Sequence, residues 1–284
     1  MNQNPTAAAR LLAPGEPASY DITPGRNLAW LVVCDHASNR IPAALGNMGI
    51  SEADRCDHIA WDIGAAQVAS RLADRLGAPL VICNYSRLVI DCNRYPASPE
   101  ATPSVSDGRL IAANQDIPTM QRARRIAEVF IPYHRAVSLQ LENAMHAGHR
   151  PVVLSIHSCT PQLGGVARPW EIGIGWARDT RVARPMVTAL RAIPGLIVGD
   201  NEPYSLEIGY DFTVPEHALS RGLAHLQVEF RNDLVVTIAG AYRFADQFFT
   251  AMSSISDTAS WNKLQYFLTA QDRSAGIGHG IEKF

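Results

Sequence analysis

The sequence predicts an α/β fold of three layers, with a mixed, mostly parallel sheet between helices on both faces. Three observations predict it. Short runs rich in Val, Ile and Leu alternate with longer stretches of helical period, the pattern of buried strands joined by crossover helices. Two of those runs, residues 28–35 (LAWLVVCD) and 151–156 (PVVLSI), end directly on a histidine, His36 and His157. Two polar segments, 95–118 and 201–224, exceed ordinary connection lengths, and loops of that size are usually functional.

Taken in order, residues 1–25 lack the compact apolar core of a secretory signal and read as a loose lead-in. Residues 26–284 show no internal repeat, linker or low-complexity tract and read as one domain. After the strand at 28–35, Ile63, Ala66, Ala69, Leu72 and Leu76 recur at helical spacing. They predict a helix from about Asp62, a possible N-cap, to Gly77 as its stop. Strands are predicted at 79–84 (PLVICN) and 87–92 (RLVIDC), then loop from Tyr95 to about Pro118. A helix over 119–147 should kink or break at Pro132. Strands at 151–156, 170–176, 196–200 and 225–230 follow, with a helix near 180–193 among them. A last helix starts near Gly240 and should end in the Ser-rich stretch 253–260.

Composition narrows the function. Of 284 residues, 47% are hydrophobic, enough for a substantial core, and the formal charge of −2 argues against general binding to nucleic acid or anionic membranes. No apolar stretch is long enough to span a bilayer. Five cysteines, an odd number with no CxxC pair, predict a reducing, cytoplasmic setting without a disulfide framework.

Four clusters carry candidate chemistry. They are Asp35-His36 with Asn39; Asp57-His58 through Asp62; Ser86-Arg87 with Asp91-Cys92-Asn93-Arg94; and His157 with Glu229 in the run Gln227–Arg231. Each has a plain structural alternative. A lone strand-end histidine is usually only hydrogen-bonded. Asp62 serves equally as a helix cap, and Arg94 as a surface partner of Asp91. Glu229 is harder to dismiss, because a Glu among Leu226, Val228 and Phe230 needs a partner, such as Arg231 or Arg87, or a role.

Together these residue types fit zinc chemistry. Catalytic zinc commonly takes three His or carboxylate ligands and leaves a position for water, whose pKa falls towards ~7. His36, a carboxylate of the second cluster and His157 supply the ligands, and Glu229 a general base. Arg87, Asn93 and Arg94 form a guanidinium-rich clamp for a substrate carboxylate, with Asn39 and Arg231 as further substrate-side candidates.

Several stretches resemble the N-formylglutamate amidohydrolase family. They are His36-Ala37-Ser38-Asn39-Arg40-Ile41-Pro42, His58–Ala65, Tyr85–Arg94, Ile156–Pro161, Asp200–Tyr204 and Val228–Leu234. The resemblance runs from about residue 28 to 250, and its specificity lies in the combination. It implies a zinc carboxypeptidase-like (phosphorylase/hydrolase-like) fold and zinc-dependent hydrolysis of a small acidic N-acyl amino acid. It also implies that Asp91-Cys92-Asn93-Arg94 grips a carboxylate and that Glu229 is the base. Asn39 stands where the related His-x-x-Glu pattern has its Glu, so the third zinc ligand is expected to be Asp62, with His58 as runner-up. Ser38 replaces a glycine usual in the family's first motif. Two other readings compete: a carboxypeptidase-like hydrolase of short peptides, and a metal-free carboxylate-binding module.

Overall fold

The computed structural model describes residues 10–283. Its centre is a seven-stranded sheet. In chain order the strands are β1 (Tyr20–Thr23), β2 (Trp30–Cys34), β3 (Leu80–Cys83), β4 (Val152–Cys159), β5 (Ile172–Gly175), β6 (Val198–Asp200) and β7 (His225–Arg231). Across the sheet they run β1-β3-β2-β4-β7-β5-β6. Neighbours are parallel except β1 on β3 and β5 on β7, so the sheet is mixed and mostly parallel, as expected.

Helices α1 (Ala65–Leu76), α2 (Thr119–Arg125), α3 (Ile131–His146), α4 (Ala183–Arg191) and α5 (Ile238–Ser253) make the outer layers. Val32, Cys34, Leu154, Ile156, Leu226, Val228 and Phe230 point to one face, against α1, α4 and α5. Leu31, Val33 and Val153 point to the other, against α3, residues 88–92 and the short helix Thr213–His217. Because successive strand residues alternate faces, Ser155, His157, Gln227 and Glu229 share this second side. Parallel pairing sets Glu229 directly opposite His157.

Four expectations need adjustment. Residues 87–92 are not a strand. Their polar groups are held by residues distant in sequence instead: Asn114 Nδ2 donates to Leu88 O, Arg125 Nη1 to Val89 O and Asp91 N to Ala101 O. The apolar run Leu88-Val89-Ile90 is therefore buried as core without joining the sheet. The interruption expected at Pro132 falls just before it, as a wider π-type turn at Ile126–Phe130 that leaves Pro132 in the first turn of α3, where its missing N–H is tolerated. The helix expected from Asp62 begins at Ala65, with Gly64 in its N-cap position at φ +82°. A Cβ on Gly64 would lie 2.3 Å from Val235 O, so that backbone path requires glycine. Asp62 is thus released from capping. Finally, part of the lead-in is tied down: Tyr20–Thr23 adds an edge strand, and the Leu11 and Leu12 amides donate to the Glu128 carboxylate. Residues 1–9 of it lie outside the described residues. Among the described residues, no helix is long and apolar enough to cross a membrane.

Candidate active site

The carboxyl ends of β2, β4 and β7, the three adjacent central strands, open into one cleft of about 290 Å³, a size suited to a small molecule. His36 follows β2, His157 and Ser158 lie near the end of β4, and Glu229 near the end of β7. Asp62 reaches the same point from the loop before α1, its backbone fixed by its N–H to His36 O (2.9 Å).

His36, Asp62 and His157 are all buried, and one potential ligand atom of each lies within 4.8 Å of the others. Asp62 Oδ2 sits 3.3 Å from His36 Nδ1 and 2.9 Å from His157 Nδ1. Each imidazole is supported from behind at its other nitrogen. His36 Nε2 lies 2.7 Å from Asp91 Oδ1, while His157 Nε2 lies 3.0 Å from Ser155 Oγ and 3.5 Å from Asp35 Oδ2. Asp35 is itself anchored by Tyr133 Oη (2.6 Å) and Thr213 Oγ1 (2.9 Å). Carboxylates behind two histidines orient the rings and fix the tautomer that leaves Nδ1 free to bind a metal. Two imidazole nitrogens and a carboxylate oxygen form a donor set suited to a divalent transition-metal ion.

The electrostatics agree with the packing. Burial alone would raise the Asp62 pKa, but His36 and His157 beside it bring it well below the usual range. Burial would likewise depress both histidines. Asp35 and Asp62 outweigh it at His157, and Asp91 and Asp62 outweigh it at His36, so both are raised. Arg87 bridges the arrangement, with Nη1 to Asp62 Oδ1 (3.3 Å) and Nη2 to Asp91 Oδ2 (2.8 Å). Glu229 differs from all of these. Its Oε2 is buried without a hydrogen-bond partner among the described residues, and burial pushes its pKa up to about 7. A buried carboxylate with an unpaired oxygen beside a cluster of this kind can take up and release a proton near neutral pH.

A family model described as N-formylglutamate amidohydrolase matches residues 28–236. The chain belongs to the N-formylglutamate amidohydrolase family. Among solved structures it is similar to the gene product Atu2144 of Agrobacterium tumefaciens, at 34% identity and TM-score 0.83, covering 88% of this chain and 100% of that one. It also shares its fold with an N-formylglutamate amidohydrolase from Ralstonia eutropha JMP134, at 20% identity and TM-score 0.55, covering 83% of this chain and 96% of that one. No curated protein matches the sequence. As a member of an amidohydrolase family the chain is a hydrolase, and its family implies a small amino-acid-derived substrate.

His36, Asp62, His157, Glu229, Arg87, Asn93 and Arg94 all line the cleft. Asn39 and Arg231 are not among its lining residues. The Asn39 amide turns to Cys56 Sγ, and the Arg231 guanidinium is drawn to Asp233 Oδ1 (2.9 Å) and Pro169 O (3.2 Å). His58 lines the cleft but stands apart from the three-residue cluster, between Asp57 Oδ1 (3.0 Å) and Asp107 Oδ2 (3.3 Å). The sequence reading assigned no role to the supports Ser155, Tyr133 and Thr213, or to the wall residues Arg168, Tyr210 and Asp211, and it marked Tyr204 only as part of the family-like stretch Asp200–Tyr204. The one sequence signal for Tyr210 and Asp211 was the unusual length of segment 201–224.

Proposed function

We propose that this protein is a zinc-dependent amidohydrolase that cleaves the amide of a small N-acyl amino acid. One observation carries the reading: two carboxylate-backed imidazoles converge through Nδ1 on Asp62, beside Glu229 on the adjoining strand, whose buried Oε2 has no hydrogen-bond partner among the described residues. His36, Asp62 and His157 would hold the zinc. When bound, it supplies positive charge that acidifies water and polarises the acyl carbonyl.

The protein's own groups account for the remaining steps. Asp91 and Asp35 hold the two rings in place, and Arg87 holds Asp62 and Asp91 in register. Glu229 takes a proton from the attacking water as the new C–O bond forms at the acyl carbon. It then delivers that proton to the amide nitrogen as the C–N bond breaks. The products are the acid of the acyl group and the free amino acid. A guanidinium group lining the cleft orients the substrate's carboxylate end.

The test joins metal analysis of the purified protein to an amine-release screen over N-formyl, N-acetyl and N-succinyl amino acids. Stoichiometric zinc with hydrolysis of at least one N-formyl amino acid is expected. Protein that carries zinc yet releases no amine from any of them would overturn the reading. Catalysis that survives complete removal of metal would overturn the zinc assignment.

A further inference from the structure

The charges of the cleft say more about the substrate than the family does. Three arginines reach it: Arg87, Arg94 and Arg168. Arg87 is already bound to Asp62 and Asp91. Arg94 is bound through Nη1 to Asp211 Oδ1 at 2.8 Å and stacks on Tyr210 with 3.9 Å to the ring centroid. The same Asp211 oxygen accepts from Asn93 Nδ2 (3.1 Å), and Asn93 Oδ1 accepts from the Phe212 and Thr213 amides. Asp211 is 5% exposed, and its second oxygen accepts from the Glu207 amide (2.8 Å). The seat that Asn93 and Arg94 would offer a substrate carboxylate therefore holds one of the protein's own.

Arg168 alone among the three meets no carboxylate within the described residues. It follows the hairpin Gln162–Ala167, whose base is closed by its N–H to Pro161 O (2.7 Å). Its guanidinium lies over the Tyr204 ring at 4.7 Å, donating to Tyr204 Oη (2.7 Å) and Thr160 Oγ1 (3.3 Å). Neutral partners leave its charge available. Leu163, Tyr204 and Tyr210 also line the cleft, with exposed Glu207, whose charge repels an anion.

We infer that Arg168 is the carboxylate seat and that Asp211 is a specificity-determining residue, so that this chain selects N-acyl amino acids bearing one carboxylate and an uncharged side chain. A dicarboxylate such as an N-acylglutamate would need a second unpaired cation, and Asp211 has taken it. The inference rests on the amidohydrolase reading and refines which substrate that activity takes.

The test compares N-formylglutamate with its uncharged near-isostere N-formylglutamine, and N-formylleucine with N-formylleucinamide, on the metal-loaded protein. N-formylglutamine should exceed N-formylglutamate in kcat/KM by about tenfold or more, and the amide should fall well below the acid. Arg168→Gln, at a half-buried position just after the hairpin, should lower kcat/KM for N-formylleucine by about ten- to a hundredfold while the amide changes little. Asp211→Asn should move the glutamate-to-glutamine ratio towards glutamate by releasing Arg94. Binding of the same ligands to the Glu229→Gln protein reads the preference without turnover. Hydrolysis in which N-formylglutamate is preferred, or in which Arg168→Gln lowers acid and amide alike, overturns this inference and leaves the amidohydrolase reading standing. Absence of hydrolysis with every N-formyl compound overturns that reading itself.

Discussion

Behind the cleft, His134 of α3 and His217 of the Thr213–His217 helix are fully buried and stacked on one another. Their proton positions follow from their neighbours. Cys92 O only accepts, so His134 Nε2 must donate to it (2.8 Å). His134 Nδ1 is then an acceptor, and His217 Nε2 donates to it (2.9 Å). His217 Nδ1 in turn accepts from Ser138 Oγ (3.3 Å). With both rings neutral, every ring nitrogen in this arrangement is satisfied. Burial accordingly pushes the His134 pKa down to about 4, and burial with the neighbouring His134 takes His217 well below its usual value.

Unfolding releases His134 to its ordinary pKa of 6.5. Between pH 6.5 and about 4 the unfolded chain therefore binds a proton that the folded chain refuses. Stability from this group is fully present above pH 6.5 and is lost as pH falls through that window. From pH 7.5 to 5 the loss from His134 alone is roughly 2 kcal/mol, or about 3 °C in Tm for a chain of this length. The assay is urea unfolding at both pH values for the parent and for His134→Gln. Other groups titrate in both proteins, so the difference between the two pH dependences isolates the imidazole. Gln should weaken the fold at pH 7.5 yet lose about 2 kcal/mol less on acidification. Parallel pH dependences would refute the neutral-pair assignment.

Other outcomes follow from the site and its supports. His36→Ala or His157→Ala should remove stoichiometric metal, measured by elemental analysis; full retention in both would dissolve the cluster as a metal centre. Glu229→Gln should keep fold and metal while kcat falls by ~10²–10⁴. The parent's rate should rise with pH up to about 7, as the Glu229 carboxylate ionises, and that limb should vanish in the variant. Gly64→Ala places a Cβ 2.3 Å from Val235 O at a φ of +82°, so a denaturation midpoint shift worth roughly 2 kcal/mol or more is expected. A shift under about 0.5 kcal/mol would show that the backbone there relaxes freely.

The sheet and its cleft were legible because burial on both faces leaves an unmistakable apolar run, and a polar residue ending such a run is exposed as an anomaly. His36, His157 and Glu229 were found that way. Arg87, Asn93 and Arg94 were found by residue type, but which of their donors remain free depends on Asp211, more than a hundred residues away, and no local pattern carries that. Residues 87–92 misled because Leu88-Val89-Ile90 is as apolar as a strand, and only the distant Arg125 and Asn114 side chains show how its backbone is satisfied without a ladder. Tyr133 and Thr213 were invisible for a similar reason. Each contributes one hydroxyl, and what matters is the buried Asp35 that both meet.

The alternation along β4 and β7 sets how this protein tolerates change. Because Ser155, His157, Gln227 and Glu229 reach the cleft only by strand parity, deleting or inserting one residue upstream within either strand would send its polar pair into the apolar layer and its Ile156 or Val228 into the cleft. Those strands accept substitution but not a change of length. The hairpin Gln162–Ala167 turns at Gly164-Gly165 beside exposed Val166, outside the central sheet. Diversification of this scaffold, by selection or by design, has its freedom in that hairpin and in segment 201–212, where loops can lengthen or shorten and the selectivity of the cleft can shift while the hydrolytic centre stays in register.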